Sequence, residues 1–153
     1  MENNGWHVST IDKENRAFVL GFSMRNTLLK VLILIDAAAE SLTIDTTLPI
    51  TCLAEYRMIM GSILNKINKN MRYGAFLLDE DDGEIAYRFT YSIAGQEFNP
   101  AMFENYLGCC LLIPDENYKS IARSATGSMT NQESDPISFP FMEESKDEPF
   151  LKH

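Results

Sequence analysis

The segment from Thr51 to Tyr91 constrains the fold most, because a helical pattern runs directly into a hairpin pattern. From Thr51 to Arg72, apolar residues recur at steps of three and four, which places them on one face of a helix. Pro49 excludes helix upstream, and Thr51 is a suitable N-cap. The pattern predicts one long amphipathic helix with an apolar face formed by Cys52, Tyr56, Ile59, Met60, Ile63, Ile67 and Met71.

The hairpin is indicated by the dipeptide Asp82-Gly83 between two alternating segments. Glycine tolerates the positive φ that a two-residue hairpin turn requires. With these two residues as the loop, Leu78 faces Tyr87, and the aromatic and aliphatic side chains share one face of the sheet. We therefore expect two adjacent strands that follow the helix and lie beneath it.

Segments ahead of the helix alternate between apolar and polar residues, which is typical of half-buried strands. The third of them is apolar at nearly every position, so both of its faces need cover. One face would lie under the helix, and the other under an additional element or a partner chain. The sequence predicts three or four antiparallel strands among Gly5–Asp12, Asn15–Met24, Leu28–Asp36 and Ser41–Thr46.

A turn at Arg25-Asn26 would pair the second and third segments, with Phe22 opposite Leu29 on the core face. The same register places small and aliphatic groups on the opposite face. The residues that precede the first strand are too few to cover that face. We therefore expect a homodimer or a partner interface there, formed by Val19, Leu32 and Leu34. Alternatively, the C-terminal helical pieces fold over this face and leave a monomer.

A helical cap is predicted after the hairpin. Asn99 can cap a helix whose first residue is Pro100, where the absent N–H is not missed. Pro114 should interrupt this helix, and Gly127 is well placed to end a second piece. The predicted fold is therefore α+β, an antiparallel sheet of about five to six strands with a long helix packed on one face and a C-terminal helical cap.

Length and composition favour one domain followed by a tail. At 153 residues the chain suffices for a single core, which we expect over residues 1–127. Residues 128–153 are rich in polar and acidic residues, which is typical of a flexible acidic tail. Its apolar islands, which contain Phe139 and Phe141, could dock on the domain or on a partner, although incidental aromatics in a disordered tail are the simpler interpretation.

Charge and hydropathy exclude several functions. A net charge of −9 and a pI near 4.6 disfavour contact with a phosphate backbone, so we expect no nucleic acid partner. The longest apolar runs are far shorter than a membrane span, and no signal-peptide pattern opens the chain. Three cysteines without a disulfide pattern fit a reducing compartment. We therefore expect a cytoplasmic protein.

Catalytic and metal sites find little support. The carboxylates from Asp79 to Glu84 are dense, but a short hairpin turn offers no cation cage, and a surface pair of Asp79 with Arg88 explains part of the charge. Adjacent Cys109 and Cys110 lack the spacing of a redox motif, and buried thiols are the simpler interpretation. The two histidines are far apart in the sequence. We predict no catalytic residue, no metal and no cofactor.

A set of short motifs is spread over the chain from Gly5 to Gly127. They are Gly5-Trp6, Ile11-Asp12, Pro49, Asn65, Tyr73–Arg88 and Tyr118–Gly127. Together these motifs resemble the YbjN-like family, whose fold is similar to that of the class I type III secretion chaperones. Members of the family usually carry a helix before the first strand, so we expect part of this sheet to be uncovered.

The resemblance implies a non-enzymatic module, loosely labelled a sensory transduction regulator, and by analogy with the chaperones a dimer that binds other polypeptides. It carries over no catalytic residue. Two alternatives stay open beside this hypothesis. One is a structural subunit whose apolar sheet is buried in a larger assembly, and the other is an enzyme that uses the Asp79–Glu84 carboxylates.

Overall fold

The structure, a computed structural model, describes residues 7–12 and 14–128, in which one antiparallel sheet carries two α-helices on one face. The sheet has six strands in the order β1-β2-β3-β4-β6-β5. This architecture confirms the predicted α+β class. The strands are β1 His7–Asp12, β2 Ala17–Ser23, β3 Leu28–Asp36, β4 Ser41–Thr51, β5 Ala75–Leu78 and β6 Glu84–Ser92, and the helices are α1 Arg57–Asn68 and α2 Pro100–Thr126.

The register predicted for β2 and β3 is confirmed. Phe22 lies opposite Leu29 and Phe18 opposite Ile33. Alternate residues of both strands are therefore buried on the face that meets the helices, with Leu20 at 5% and Val31 at 0% exposure. This face of the sheet, called the core face below, joins both helices in one apolar cluster.

Strand β4 is longer than predicted, because it continues past Thr46 to Thr51. Pro49 lies within it, between Thr47 and Thr51, where the register with β6 is irregular. A residue without an N–H is tolerated at such a bulge. Thr51 pairs with Glu84 in the sheet, so its predicted role as a helix N-cap is wrong.

Helix α1 is shorter than predicted at both ends. The N–H groups of Cys52 and Leu53 donate to carbonyls outside the helix, at 2.8 and 3.0 Å, so a 3-10 turn at Ala54–Tyr56 precedes the helix. At the other end, the Asn68 amide bonds both the N–H and the C=O of one β5 residue, at 2.7 and 2.8 Å. Ile59, predicted to face the core, is 57% exposed, and the buried residues of α1 are Met60, Leu64 and Ile67.

The hairpin forms with a longer turn than predicted. Leu78 pairs with Ile85 rather than Tyr87, and the Asp79 N–H donates to Glu84 at 2.9 Å across the turn. Because the register differs from the prediction by two residues, each side chain keeps its predicted face. Gly83 adopts the expected positive φ, at +84°.

The C-terminal helix is continuous over 27 residues, so the predicted interruption at Pro114 is wrong. Asn99 caps it as predicted, accepting from the Met102 N–H at 3.1 Å, and Gly127 ends it with φ +71°. Proline has no N–H to donate to the carbonyl four residues earlier, which belongs to Cys110. The buried Thr46 hydroxyl donates to that carbonyl at 2.9 Å instead.

Asp115, in the middle of α2, is hydrogen-bonded to the turn between β2 and β3. Its carboxylate accepts from the backbone N–H groups of Asn26 at 2.9 Å and Thr27 at 3.1 Å. The residue is 3% exposed, so these charge-assisted bonds satisfy a buried group. Asp115 therefore makes a long-range contact from within the continuous helix.

The three cysteines are free thiols in the core. Burial raises the pKa of Cys52, although the nearby Arg57 opposes the shift. Burial also raises the pKa of Cys109 and, far more, that of Cys110, where Cys109 adds to the effect. The thiol is therefore the form that the folded protein favours at all three positions.

We predict that Gly83→Val destabilises the domain by about 1 to 3 kcal/mol. A Cβ on Gly83 would overlap the carbonyl oxygen of Cys52, in addition to the strain at positive φ. Gly95 is the matched control, because it has φ +63° but a Cβ there would meet open space, with no contact within 4 Å. Gly95→Val should cost only the φ strain, about 1 kcal/mol. Equal losses in urea denaturation would contradict the close approach.

We predict that Thr46→Val costs about 1 to 3 kcal/mol, because it leaves the buried Cys110 carbonyl without a donor. In a Pro114→Ala background the new N–H can donate to that carbonyl, so the same substitution should cost less. A double-mutant cycle from denaturant melts measures the difference. Additive losses would show that Thr46 does not replace the bond that the proline removes.

We predict that the native protein does not react with Ellman's reagent at about pH 8, because burial keeps all three thiols protonated. Denaturation in guanidinium should release three reactive thiols. Rapid labelling of the folded chain would contradict this placement. Peptide mapping would then identify which cysteine is accessible.

Candidate partner-binding surface

The sheet face opposite the helices, called the outer face below, carries alternate residues of the strands β2 to β6. The pairings place Val19 opposite Leu32, Leu32 opposite Asp45, and Asp45 opposite Arg88. Ala75 of β5 completes this row beside Arg88. One row thus crosses five strands, with aliphatic groups at one end and an ion pair near the middle.

The residues predicted for a partner interface lie together on this outer face. Val19 and Leu32 are directly opposite each other and half-buried. Leu34 is one outward position further along β3, between Ala17 and Thr43, and is 37% exposed. Both described helices pack on the core face, so neither contributes to the cover of this group.

An ion pair occupies the centre of the outer face. Arg88 donates through Nε and Nη2 to the same oxygen of Asp45, at 2.7 and 2.6 Å. Asp45 is only 9% exposed, whereas the arginine side chain is 53% exposed. The predicted pairing of Arg88 with Asp79 is therefore wrong. The sequence shows opposite charges at outward positions of two alternating segments. Only the register between β4 and β6 shows that these charges, Asp45 and Arg88, are paired.

The β5 edge of the sheet is partly closed to an added strand. Edge strands normally offer unpaired backbone groups to other chains. Here the Asn68 side chain takes both the N–H and the C=O of Phe76, and β5 has only four residues. This edge therefore offers fewer backbone groups to an added strand than an open edge of the same length would.

The acidic turn uses its carboxylates to hold its own backbone. Asp79 accepts from the Asp81 N–H at 2.9 Å, and Asp82 accepts from the Glu84 N–H at 2.8 Å. Within residues 7–12 and 14–128, no group of three His, Cys, Asp or Glu side chains is arranged to hold a metal ion. Phe139 and Phe141, which the sequence suggests as possible docking residues, lie outside the described residues.

Neither α1 nor α2 combines the length and hydropathy that a membrane crossing requires, and these are the α-helices of the described part of the chain.

The fold is similar to that of a solved protein complex. A chain in the crystal structure of the ExsC–ExsE complex superposes with a TM-score of 0.58 and 17% identity, covering 74% of this chain and 81% of that chain. ExsC is a type III secretion chaperone, so this likeness confirms the fold that the resemblance implied. At such low identity it shows the fold alone.

No curated protein has significant sequence similarity to the chain. The profile of the YbjN family, described as "Putative bacterial sensory transduction regulator", matches residues 1–123. The match covers most of the chain and includes both described helices as far as Arg123. The resemblance found in the sequence is thereby confirmed, and the chain belongs to the YbjN family.

Proposed function

We propose that this chain is a non-enzymatic, protein-binding regulatory module that forms a homodimer through its outer face. The observation that carries the proposal is the group formed by Val19, Leu32 and Leu34 on the face that the described helices leave uncovered. Aliphatic side chains on the central strands of a sheet are favourable to bury. A second copy of the same face supplies the matching apolar surface.

A stable dimer contact would require a large part of the outer face. A standard interface buries about 800 Å² on each partner. At roughly 25 cal/mol per Å², even part of that area as apolar surface offsets the entropy lost on association. The proposal therefore needs contact over much of the sheet rather than at one leucine.

The ion pair at the centre favours specificity over strength. An interface that buries Asp45 and Arg88 has to keep the pair intact, because an isolated buried charge is costly. The exposed N–H groups of Arg88 are available to acceptors on the partner. In a two-fold dimer each contact occurs twice, so both copies of the Asp45–Arg88 ion pair must find matching groups on the partner. This requirement would restrict the relative orientation of the two outer faces.

Protein binding also agrees with the comparisons. The family description names a regulator, and the fold neighbour was solved as a complex of ExsC with ExsE. The enzyme alternative loses support because the Asp79 and Asp82 carboxylates are engaged with the backbone of their own turn. The thiols of the core are held in the less nucleophilic protonated form.

We predict that the protein sediments at micromolar concentration with twice the chain mass of 17.4 kDa, and that Leu32→Asp gives a folded monomer. A carboxylate at this position would be buried without a partner in the dimer. Sedimentation equilibrium measures the mass, and circular dichroism checks the fold. Leu112→Asp is the control, because Leu112 is an exposed leucine, at 41%, on α2 rather than on the outer face.

A single species near 17.4 kDa for the unmodified chain would reject the dimer. Leu32 lies opposite Asp45, so a carboxylate there could also repel its neighbour within one chain. Leu34→Asp avoids this problem, since Leu34 lies between Ala17 and Thr43. A dimer that survives both substitutions would place the interface elsewhere.

A further inference from the structure

The outward side of α1 carries a second exposed apolar group, called the α1 patch below. It consists of Leu53, Met58 and Ile59, which are 46%, 90% and 57% exposed. Met58 and Ile59 are adjacent in the first turn of the helix, and Leu53 precedes the 3-10 turn that leads into it. A surface in contact with water rarely exposes three large apolar side chains on one short segment, because their hydration is unfavourable.

One flank of α1 faces the β5–β6 hairpin. Arg57 donates to the carbonyls of Glu80 and Asp81, both at 3.0 Å, and Asn68 bonds Phe76. At 3.6 residues per turn, positions 57 and 68 lie on the same side of the helix, and positions 59 and 66 lie on the other flank. Ile59 and Lys66 therefore share the flank that is turned away from the hairpin.

The chain leaves the described structure beside this patch. The Leu53 N–H donates to the Ala125 carbonyl at 3.0 Å, in the last turn of α2. Gly127 lies against the ring of Tyr56, which would overlap a Cβ at that position. Whatever follows Ser128 thus starts next to the first turn of α1.

We propose that residues 137–142, with the sequence ISFPFM, cover the α1 patch of the same chain through Phe139 and Phe141. The eight residues 129–136 can span up to about 27 Å when extended. Helix α1 has 12 residues and is therefore about 18 Å long. The apolar segment can consequently reach every part of the patch without any change in the domain.

Charge is complementary along the same flank. The sequence of α1 from Arg57 to Asn68 contains no acidic residue, although the whole chain has a net charge of −9. Lys66 lies two turns beyond Ile59 on the shared flank. Glu143 and Glu144 follow the apolar segment immediately. A segment that runs along α1 from its first turn would thus bring acidic side chains to Lys66, which adds little energy but favours one direction.

The covered patch acts as an intramolecular competitor. A tethered segment experiences an effective concentration in the millimolar range, so a weak contact suffices to keep the patch mostly occupied. A protein that binds α1 has to displace it. This inference is independent of the dimer, because the outer face lies on the opposite side of the sheet from α1.

Oxidation of methionine side chains by hydrogen peroxide, read by mass spectrometry, tests the proposal in the full chain. We expect Met58 to oxidise about fivefold faster in the double variant Phe139→Ser, Phe141→Ser than in the unmodified protein, because the free segment no longer shields it. Met102 of α2 is the internal control and should oxidise at the same rate in both. Equal Met58 rates in the two proteins would overturn the proposal.

The charge contact gives a second, independent readout. Lys66→Glu should speed Met58 oxidation less than the phenylalanine substitutions do, because a surface ion pair contributes little energy, and adding Glu143→Lys with Glu144→Lys should restore the slower rate. The Met58 oxidation rate could instead fall as the protein concentration rises and be the same with and without the phenylalanine substitutions. That result would show that a second copy of the chain covers the patch, and it would overturn the assignment to residues 137–142. Sedimentation of the same variants tests the outer-face dimer separately, so failure of one proposal does not imply failure of the other.

Discussion

The hydrogen bond from the Thr46 hydroxyl to the Cys110 carbonyl is the interaction on which the arrangement of helix and sheet depends. Pro114 leaves that carbonyl without its helical donor, and a buried carbonyl without a donor is costly. Thr46 of β4 supplies the donor that the Cys110 carbonyl lacks. Helix α2 therefore stays continuous and lies over β4 at this position. The adjacent Asp115 then holds the β2–β3 turn. The region around Pro114 and Asp115 is thereby tied to the sheet at two points, in addition to the apolar packing of α2.

Both proposed surfaces follow from this placement of α2. A helix of 27 residues is about 40 Å long, enough to cross most of the sheet. Together with α1 it covers the core face, which leaves Leu32 and its neighbours to be covered from outside the described helices. The same helix ends against Tyr56, where the chain emerges beside the α1 patch. Neither surface needs a catalytic group, and each offers shape and apolar area to a polypeptide.

Features that depend on neighbours in the chain were predictable from the sequence. The register of β2 with β3 follows from alternation and a short turn, so the clustering of Val19 with Leu32 was expected. Asn99 begins α2 and Gly127 ends it, as predicted for the first and second helical pieces, because capping involves only the adjacent turn. The sequence also predicted correctly which side chains of the hairpin share a face, although the turn is longer than predicted. A register shift of two residues leaves every side chain on the same face. The predicted candidate surface on the sheet rests entirely on this local information.

Features that depend on distant residues were decided by the tertiary structure. From the sequence alone, Pro114 predicts a helix break. The helix continues because the Thr46 hydroxyl, 64 positions from Cys110 in the sequence, donates to the Cys110 carbonyl. Arg88 pairs with an aspartate 43 positions away instead of the nearer one in its own hairpin, because the strand order places β4 beside β6. Ile59 follows the apolar period of its helix and is nevertheless 57% exposed, because it lies on the flank of α1 that is turned away from the β5–β6 hairpin. The sequence by itself therefore determined which segments form strands, the register of β2 with β3 and the two caps of α2. Packing decided which apolar groups stay exposed, because burial depends on partners that are remote along the chain.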